Sequence, residues 1–352
     1  MQYQQNRQIT QQSILRRIYD MMTQKERFLA LLHNEPVDGF VNQYGAMGFL
    51  WGSPLTAIDP KIKGQRTHSK WGFDYDWPEH EPGAVPLSEG DDALIQDIED
   101  WREYVKAPDL KTNDSDWDQL RSYMKTIDTK EKFLTFFMAP GTFEYTHSMM
   151  SFEDSLCNLL VYEDEMHELI DYITDWRCEY MEEFFKHIKG VEAVFAHDDW
   201  GSKNSTFMSP ETFSEFYTPA YKKLYGIAKD HGCVMIHHSD SYCATLLDDM
   251  FEMGLDCWEG VLPSNDILSL QKKLNDENRQ FILWGGMDSG VFDRDDSTEE
   301  EIRKHVADTI AKYHAGGHWI PSVNDGLPFI IHQANYDIIT DEINNQEKLY
   351  FK

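Results

Sequence analysis

The chain has 352 residues, with 62 acidic side chains against 32 basic ones and a formal net charge of -30 at pH 7. Hydrophobic residues at 41% and aromatics at 13% are enough for a large core and argue against intrinsic disorder. The charge argues against a nucleic-acid partner and against an anionic membrane surface, both of which call for clustered Lys and Arg.

Residues 1–21 form an N-terminal extension in which Ile14, Leu15, Ile18 and Met22 keep helical spacing. It lacks the apolar centre of a secretory signal, and no later stretch approaches the roughly 18 consecutive apolar residues of a membrane helix. The five cysteines form no CxxC pair and read as reduced thiols. A cytoplasmic protein is expected, with residues 22–352 as one domain.

A first strand is predicted near 39–44. Apolar runs that suit strands buried on both faces follow at FLTFFMAPG (133–141), VFAHDDWG (194–201), CVMIHHSD (233–240), CWEGVLP (257–263), FILWGGMD (281–288) and HWIPSVND (318–325). The acidic stretch 80–130 has room for an eighth. Between the runs lie helical patterns. Ser209-Pro210-Glu211 starts one whose apolar face is Phe213, Phe216, Tyr217, Ala220 and Leu224, with Pro219 expected to kink it or shift its boundary. Ser297 and Glu300 have capping-box spacing ahead of Ile302, Val306, Ile310 and Tyr313. Strand-then-helix alternation predicts an α/β fold, a (β/α)8 TIM barrel. A doubly wound sheet is the alternative, but no GxGxxG follows an early strand.

Chemistry in either architecture collects at the C-terminal strand ends. These carry His197, Asp198, Asp199, His237, His238, Asp240, Glu259, Asp288, His318 and Asp325, with Glu144 and His147 past the second run. The predicted strand ends contain no arginine and one lysine, Lys203. Such a lining repels a polyanion and suits a neutral or cationic ligand, or a metal. His238 and Asp240 are i,i+2 and share a face, so a metal is one reading, with Asp325 as third ligand and Glu259 as second choice. Direct hydrogen bonding without metal is the other. His237 alternates to the opposite face as a packing histidine. Of His197-Asp198-Asp199, at most one carboxylate points inward; either is a candidate general acid. Gly285-Gly286 and Gly316-Gly317 fit tight turns or a phosphate. Tyr44, Phe49, Trp51, Phe143, Trp200, Trp258 and Trp284 supply an aromatic wall for a planar substrate or a corrin face.

The segments MTQKERFLALLHNEPVD, HDDWGS, SPETFSEFYTPAYKKL, HGCVMIHHSD, GLDCWEGVLPSNDI, WGGMDSG and AGGHWIPSVNDGLP resemble, in order and spacing, the uroporphyrinogen decarboxylase superfamily. The resemblance covers roughly residues 22–340 and implies a (β/α)8 barrel. The arginine-bearing segment that holds substrate carboxylates in true uroporphyrinogen decarboxylases reads NQYGAMGFLWG here, without arginine. The resemblance therefore points to the cobalamin-dependent methyltransferase branch. In its coenzyme M type a His-x-Cys pair and a later Cys hold zinc. His238 matches the His, and Asp240 and Asp325 stand where the two Cys would be, a harder set that suits an oxygen-containing substrate.

The resemblance thus implies methyl transfer from a small O-methyl donor to the Co(I) of a corrinoid supplied by a partner protein. The site residues would be a zinc on His238, Asp240 and Asp325, with Asp198, Asp199, His197 and Glu259 as catalytic groups. The chain has no Asp-x-His-x-x-Gly cobalamin motif, so the corrinoid is expected on its partner, with homodimerisation a further expectation. The alternative is a decarboxylase or lyase of a small non-tetrapyrrole substrate. A barrel that binds without chemistry fits poorly, because so many buried titratable groups cost stability unless they serve a reaction.

Overall fold

The computed structural model describes residues 21–81, 83–294, 296–324 and 331–351; Ile14, Leu15 and Ile18 of the N-terminal extension lie outside them. Seven parallel strands form one sheet in chain order: β1 (Met47–Phe49), β5 (Phe133–Met138), β6 (Ala193–His197), β7 (Val234–His238), β8 (Cys257–Val261), β9 (Ile282–Met287) and β10 (Trp319–Val323). β6, β8, β9 and β10 are buried nearly from end to end, as strands covered on both faces must be. The sheet curls until its edges meet, where Gln43 N donates to Pro321 O at 3.2 Å.

The fold is the expected α/β barrel type, but no eighth strand joins this sheet among the described residues. The stretch 80–130 holds short helical turns and β4 (Val85–Leu87), which pairs with β3 (Asp74–Trp77), itself paired with β2 (Gln65–His68), in a separate antiparallel sheet. That insertion is pinned by Trp71, whose ring lies 5.5 Å from Tyr145 and 4.9 Å from Trp176. The first strand begins at Met47 rather than near residue 39. Gln43 takes φ 49°, and the bonds Gly45 N to Asn42 O and Met47 N to Tyr44 O close consecutive turns that extended backbone cannot make.

The longer helices are α1 (Gln24–Leu32), α2 (Thr142–Met149), α3 (Phe152–Val161), α4 (Glu163–His187), α5 (Pro210–Asp230), α6 (Ile267–Asp276), α7 (Glu299–Tyr313) and α8 (Gln333–Tyr350). Ser209 caps α5 by accepting from Thr212 N, and the helix runs through Pro219 as a single element. α7 starts one residue later than expected. Its capping box is Thr298 with Glu301, which orients Ile302, Val306, Ile310 and Tyr313 inward as predicted.

α8 straddles the seam. Its Glu347 pairs with buried Arg27 of α1 at 2.9 Å, and Arg27 also pairs with Asp38 at 2.8 Å. Thr340 Oγ1 accepts from Gln43 Nε2 at 2.7 Å, and Asn344 Oδ1 from Asn42 Nδ2 at 2.9 Å. Arg27, within the segment MTQKERFLALLHNEPVD, thus has a structural role, clasping first helix to last. All five cysteines are unpaired. Among the described residues no helix is long and apolar enough to cross a membrane.

Candidate metal and active site

The register of the sheet sets His197 opposite His238 and His238 opposite Glu259. Side-chain alternation puts His197 and His238 on the inward face of adjacent strands, and Asp199, two residues past the end of β6, sits with them. The two imidazoles stack with centroids 4.6 Å apart. One ligand atom from each of the three residues falls within 4.8 Å of the others.

A carboxylate stands behind each histidine. Glu259 is fully buried; its Oε2 lies 2.5 Å from His238 Nδ1 and its Oε1 accepts from the Tyr44 hydroxyl at 2.7 Å. Burial opposes charge on His238, but the adjacent Glu259 carboxylate outweighs it and pushes the imidazole pKa up to about 9. Glu144 of α2 lies 3.5 Å from His197 Nδ1 and accepts from Gly141 N at 2.7 Å. Burial works against both partners' charges, yet their mutual attraction raises the His197 pKa and holds Glu144 well below the usual carboxylate range. The bond from Glu259 to His238 Nδ1 leaves that ring's Nε2 for a ligand, the arrangement that orients metal-binding histidines, whereas His197 Nδ1 meets Glu144 as an ion pair without a hydrogen bond.

The residues named from sequence separate into groups. Asp240 stands beside the cluster: its N–H donates to Asp199 Oδ1 at 3.2 Å, and its Oδ2 accepts from Asn324 Nδ2 at 3.5 Å. Asp325 lies outside the described residues. Glu259 spends both oxygens on Tyr44 and His238, so it positions a ligand instead of offering itself as one. Asp198 faces away from the mouth, fully buried. It accepts from Phe143 N at 2.9 Å, from Glu144 N at 3.0 Å and from the Tyr221 hydroxyl. These donors occupy its oxygens at the start of α2, which is a structural task, while burial pushes its carboxyl pKa up to about 8. Gly141 permits this approach, because a Cβ there would meet Asp198 Cγ at 1.8 Å.

His237 is the satisfied packing histidine expected. It meets Tyr225 Oη at 2.7 Å and Asp198 O at 3.0 Å and stacks on Trp200 at 3.8 Å. Asp288 caps the short helix Ser289–Phe292 through Gly290 N, with Lys203 Nζ 3.8 Å away. His318 precedes β10 and so sits at the opposite end of the barrel, bonded to Phe281 O at 3.1 Å. Gly285, at φ 141°, pairs with Val261 just past the bulge at Gly260 of β8, where a Cβ would approach Val261 O to 2.7 Å; close strand packing accounts for it.

The aromatic wall has a different membership from the one expected. Tyr44 and Trp284 are 5.0 Å apart, Phe49 and Trp51 5.3 Å, and Phe49 and Phe195 5.3 Å. Phe137 joins them 5.9 Å from Phe195. Phe143, Trp200 and Trp258 are fully buried elsewhere, with Trp258 Nε1 donating to Ser239 O at 2.9 Å. Phe137 and Phe195 escaped the sequence reading, although period-two alternation puts Phe195 on the same face as His197.

The sequence model of the uroporphyrinogen decarboxylase (URO-D) family matches residues 91–346. Among solved structures, a methyltransferase from Methanosarcina mazei is similar, at 15% identity and a TM-score of 0.61, over 92% of this chain and 99% of that one. A D-psicose 3-epimerase from Clostridium cellulolyticum H10 is 7% identical with a TM-score of 0.37, over 68% of this chain and 85% of its own. No curated protein matches.

Proposed function

Because the chain belongs to the uroporphyrinogen decarboxylase family, yet has no arginine in its NQYGAMGFLWG segment and gathers histidines and a carboxylate at its strand ends, we propose that it is a methyltransferase. It moves a methyl group from a small O-methyl donor to the Co(I) of a corrinoid that a separate protein presents at the barrel mouth. The single observation that carries this reading is the His197, Asp199 and His238 cluster backed by Glu144 and Glu259. The fold shared with a methyltransferase supports it.

Two imidazoles and one carboxylate form a donor set that suits Zn2+ and leaves a coordination position open. His197, Asp199 and His238 would hold the ion, with Asp240 as the neighbouring carboxylate. When bound, the metal supplies Lewis acidity toward the donor oxygen. The protein's own contribution is positional. Glu259 and Tyr44 fix the ring of His238, Glu144 fixes His197, and the wall of Tyr44, Phe49, Trp51, Phe137, Phe195 and Trp284 excludes water and presses the donor toward the mouth. In the reaction the methyl carbon leaves its oxygen, which keeps the bonding pair, and bonds to cobalt; solvent protonates the released alkoxide or phenoxide.

The test is metal analysis of the purified protein, then a Co(I)-to-methyl-Co(III) spectral assay with a corrinoid protein across a panel of O-methyl donors. Absence of corrinoid methylation with every donor would overturn the reading. Substrate turnover without any corrinoid would replace it with decarboxylation or lyase chemistry.

A further inference from the structure

Beside the mouth, between the segment after β1, the end of β5 and helix α4, lies a cavity of about 230 Å³. Aromatic rings make its walls: Trp51, Phe137, Tyr145, Trp176 and Tyr180. Into it runs Arg177 of α4, which is 2% exposed.

Arg177 differs from the other arginines among the described residues. Each of those has a carboxylate within 4.0 Å, including Arg27, which is equally buried and has two. No carboxylate comes that close to Arg177 among the described residues. Its Nη1 donates to the Pro140 carbonyl, while its buried Nε has no acceptor there. The carboxylates of the neighbourhood are committed. Asp59 accepts from the hydroxyls of Ser69 and Tyr145, and Asp198 from the start of α2 and Tyr221. Lys61 also lines the cavity, so its charge census is two cations against Asp59.

Buried charges are paired in folded proteins, because desolvation is otherwise uncompensated. Here the partner is missing from the chain and there is space where it would stand. We infer that this cavity binds a small monoanion on a planar apolar body, whose carboxylate or sulfonate serves as counter-ion to Arg177 while its ring lies against the aromatic walls. The volume falls below the roughly 300–1,000 Å³ of drug-sized sites, which admits a single-ring acid and excludes a tetrapyrrole. The site is distinct from the histidine cluster and does not depend on methyl transfer. The two spaces share Trp51 and Phe137, which line the cavity and pack on Phe49 and Phe195 of the wall.

The probes are benzoate, benzenesulfonate and the neutral benzamide. Each is titrated into the full chain without metal or corrinoid, and read by calorimetry and by the emission of Trp51 and Trp176. Both anions are expected to bind and shift the emission, with benzamide about tenfold weaker or worse. A preference for one anion identifies the head group, and either preference supports the site. Arg177→Met is expected to abolish the distinction between benzoate and benzamide. Because Arg177 also holds the Pro140 carbonyl, Lys61→Gln serves as a second variant that leaves the core untouched; it should weaken both anions about two- to fivefold and spare benzamide. No anion binding to the folded wild-type chain, equal affinity for benzamide, or unchanged benzoate affinity in folded Arg177→Met would each overturn the assignment.

Discussion

β6 and β7 present two faces made from adjacent residues, and the faces have opposite fates. Inward, His197, Asp199 and His238 keep donor atoms to spare within 4.8 Å of one another. Outward, Asp198 and His237 are saturated, the first by Phe143 N, Glu144 N and Tyr221, the second by Tyr225 and the Asp198 carbonyl. Residue type does not separate the two sets, since each contains a histidine and an aspartate. The number of hydrogen bonds that the surroundings supply does. A polar side chain whose partners are complete holds the fold, and one left with a free atom at the mouth is available for chemistry.

The largest effect that would sharpen this contrast is expected from Asp198→Ala. It orphans two backbone N–H groups and a hydroxyl, at a cost on the order of 3–5 kcal/mol, measurable as a lower urea midpoint at constant m. The remaining folded protein should bind Zn2+ like the wild type. If metal binding is lost instead, the division between faces is broken.

His238→Ala is expected to act on the metal directly. Zn2+ affinity should fall beyond the roughly 100-fold upper range for residues that merely support a ligand, and the metal-free chain should also melt lower, because the buried Glu259 carboxylate loses its charged partner. Glu259→Gln keeps the shape but removes the charge behind His238; a loss of about 10–100-fold in Zn2+ affinity is expected by competition titration.

The smallest effect concerns pH. Burial holds the His237 pKa well below 6.5, while in the unfolded chain it titrates near 6.5. The unfolded state therefore takes the proton first as pH falls. The contribution of His237 to stability is intact above about pH 6.5 and is lost progressively below it. His237→Gln should flatten the dependence of melting temperature on pH between about 6.5 and 5, whereas His197→Gln should not.

Local pattern carried much of this structure. The apolar runs at 133–141, 194–201 and 257–263 hold β5, β6 and β8, and the cap at Ser209 started α5. Alternation also placed His237 and His238 on opposite faces. What local pattern does not carry is which strands are neighbours and at what register. Asp199 and His197 join His238 because β6 lies beside β7 with His197 opposite His238, a fact of tertiary pairing. The i,i+2 rule nominated Asp240 as partner to His238, but β7 ends at His238, so extended alternation no longer governs residue 240. His318 was placed at the wrong end of its strand because an apolar run does not announce which of its residues starts the ladder. Arg177 was not legible among the strand ends because it enters from a helix.

The seam between Gln43 and Pro321 has a consequence in time. The residues that secure it, Thr340, Asn344 and Glu347 on α8, reach partners about 300 positions earlier in the chain. A ribosome emits the chain from the N-terminus, so an open trough bearing Phe49, Phe195 and Trp284 exists for most of synthesis, and it can close only after residues 333–350 have emerged. Contacts of such sequence separation form late, and exposed aromatic surface in that interval is prone to association. The nascent chain is therefore most vulnerable to aggregation, and most in need of a chaperone, in the moments before its final helix appears.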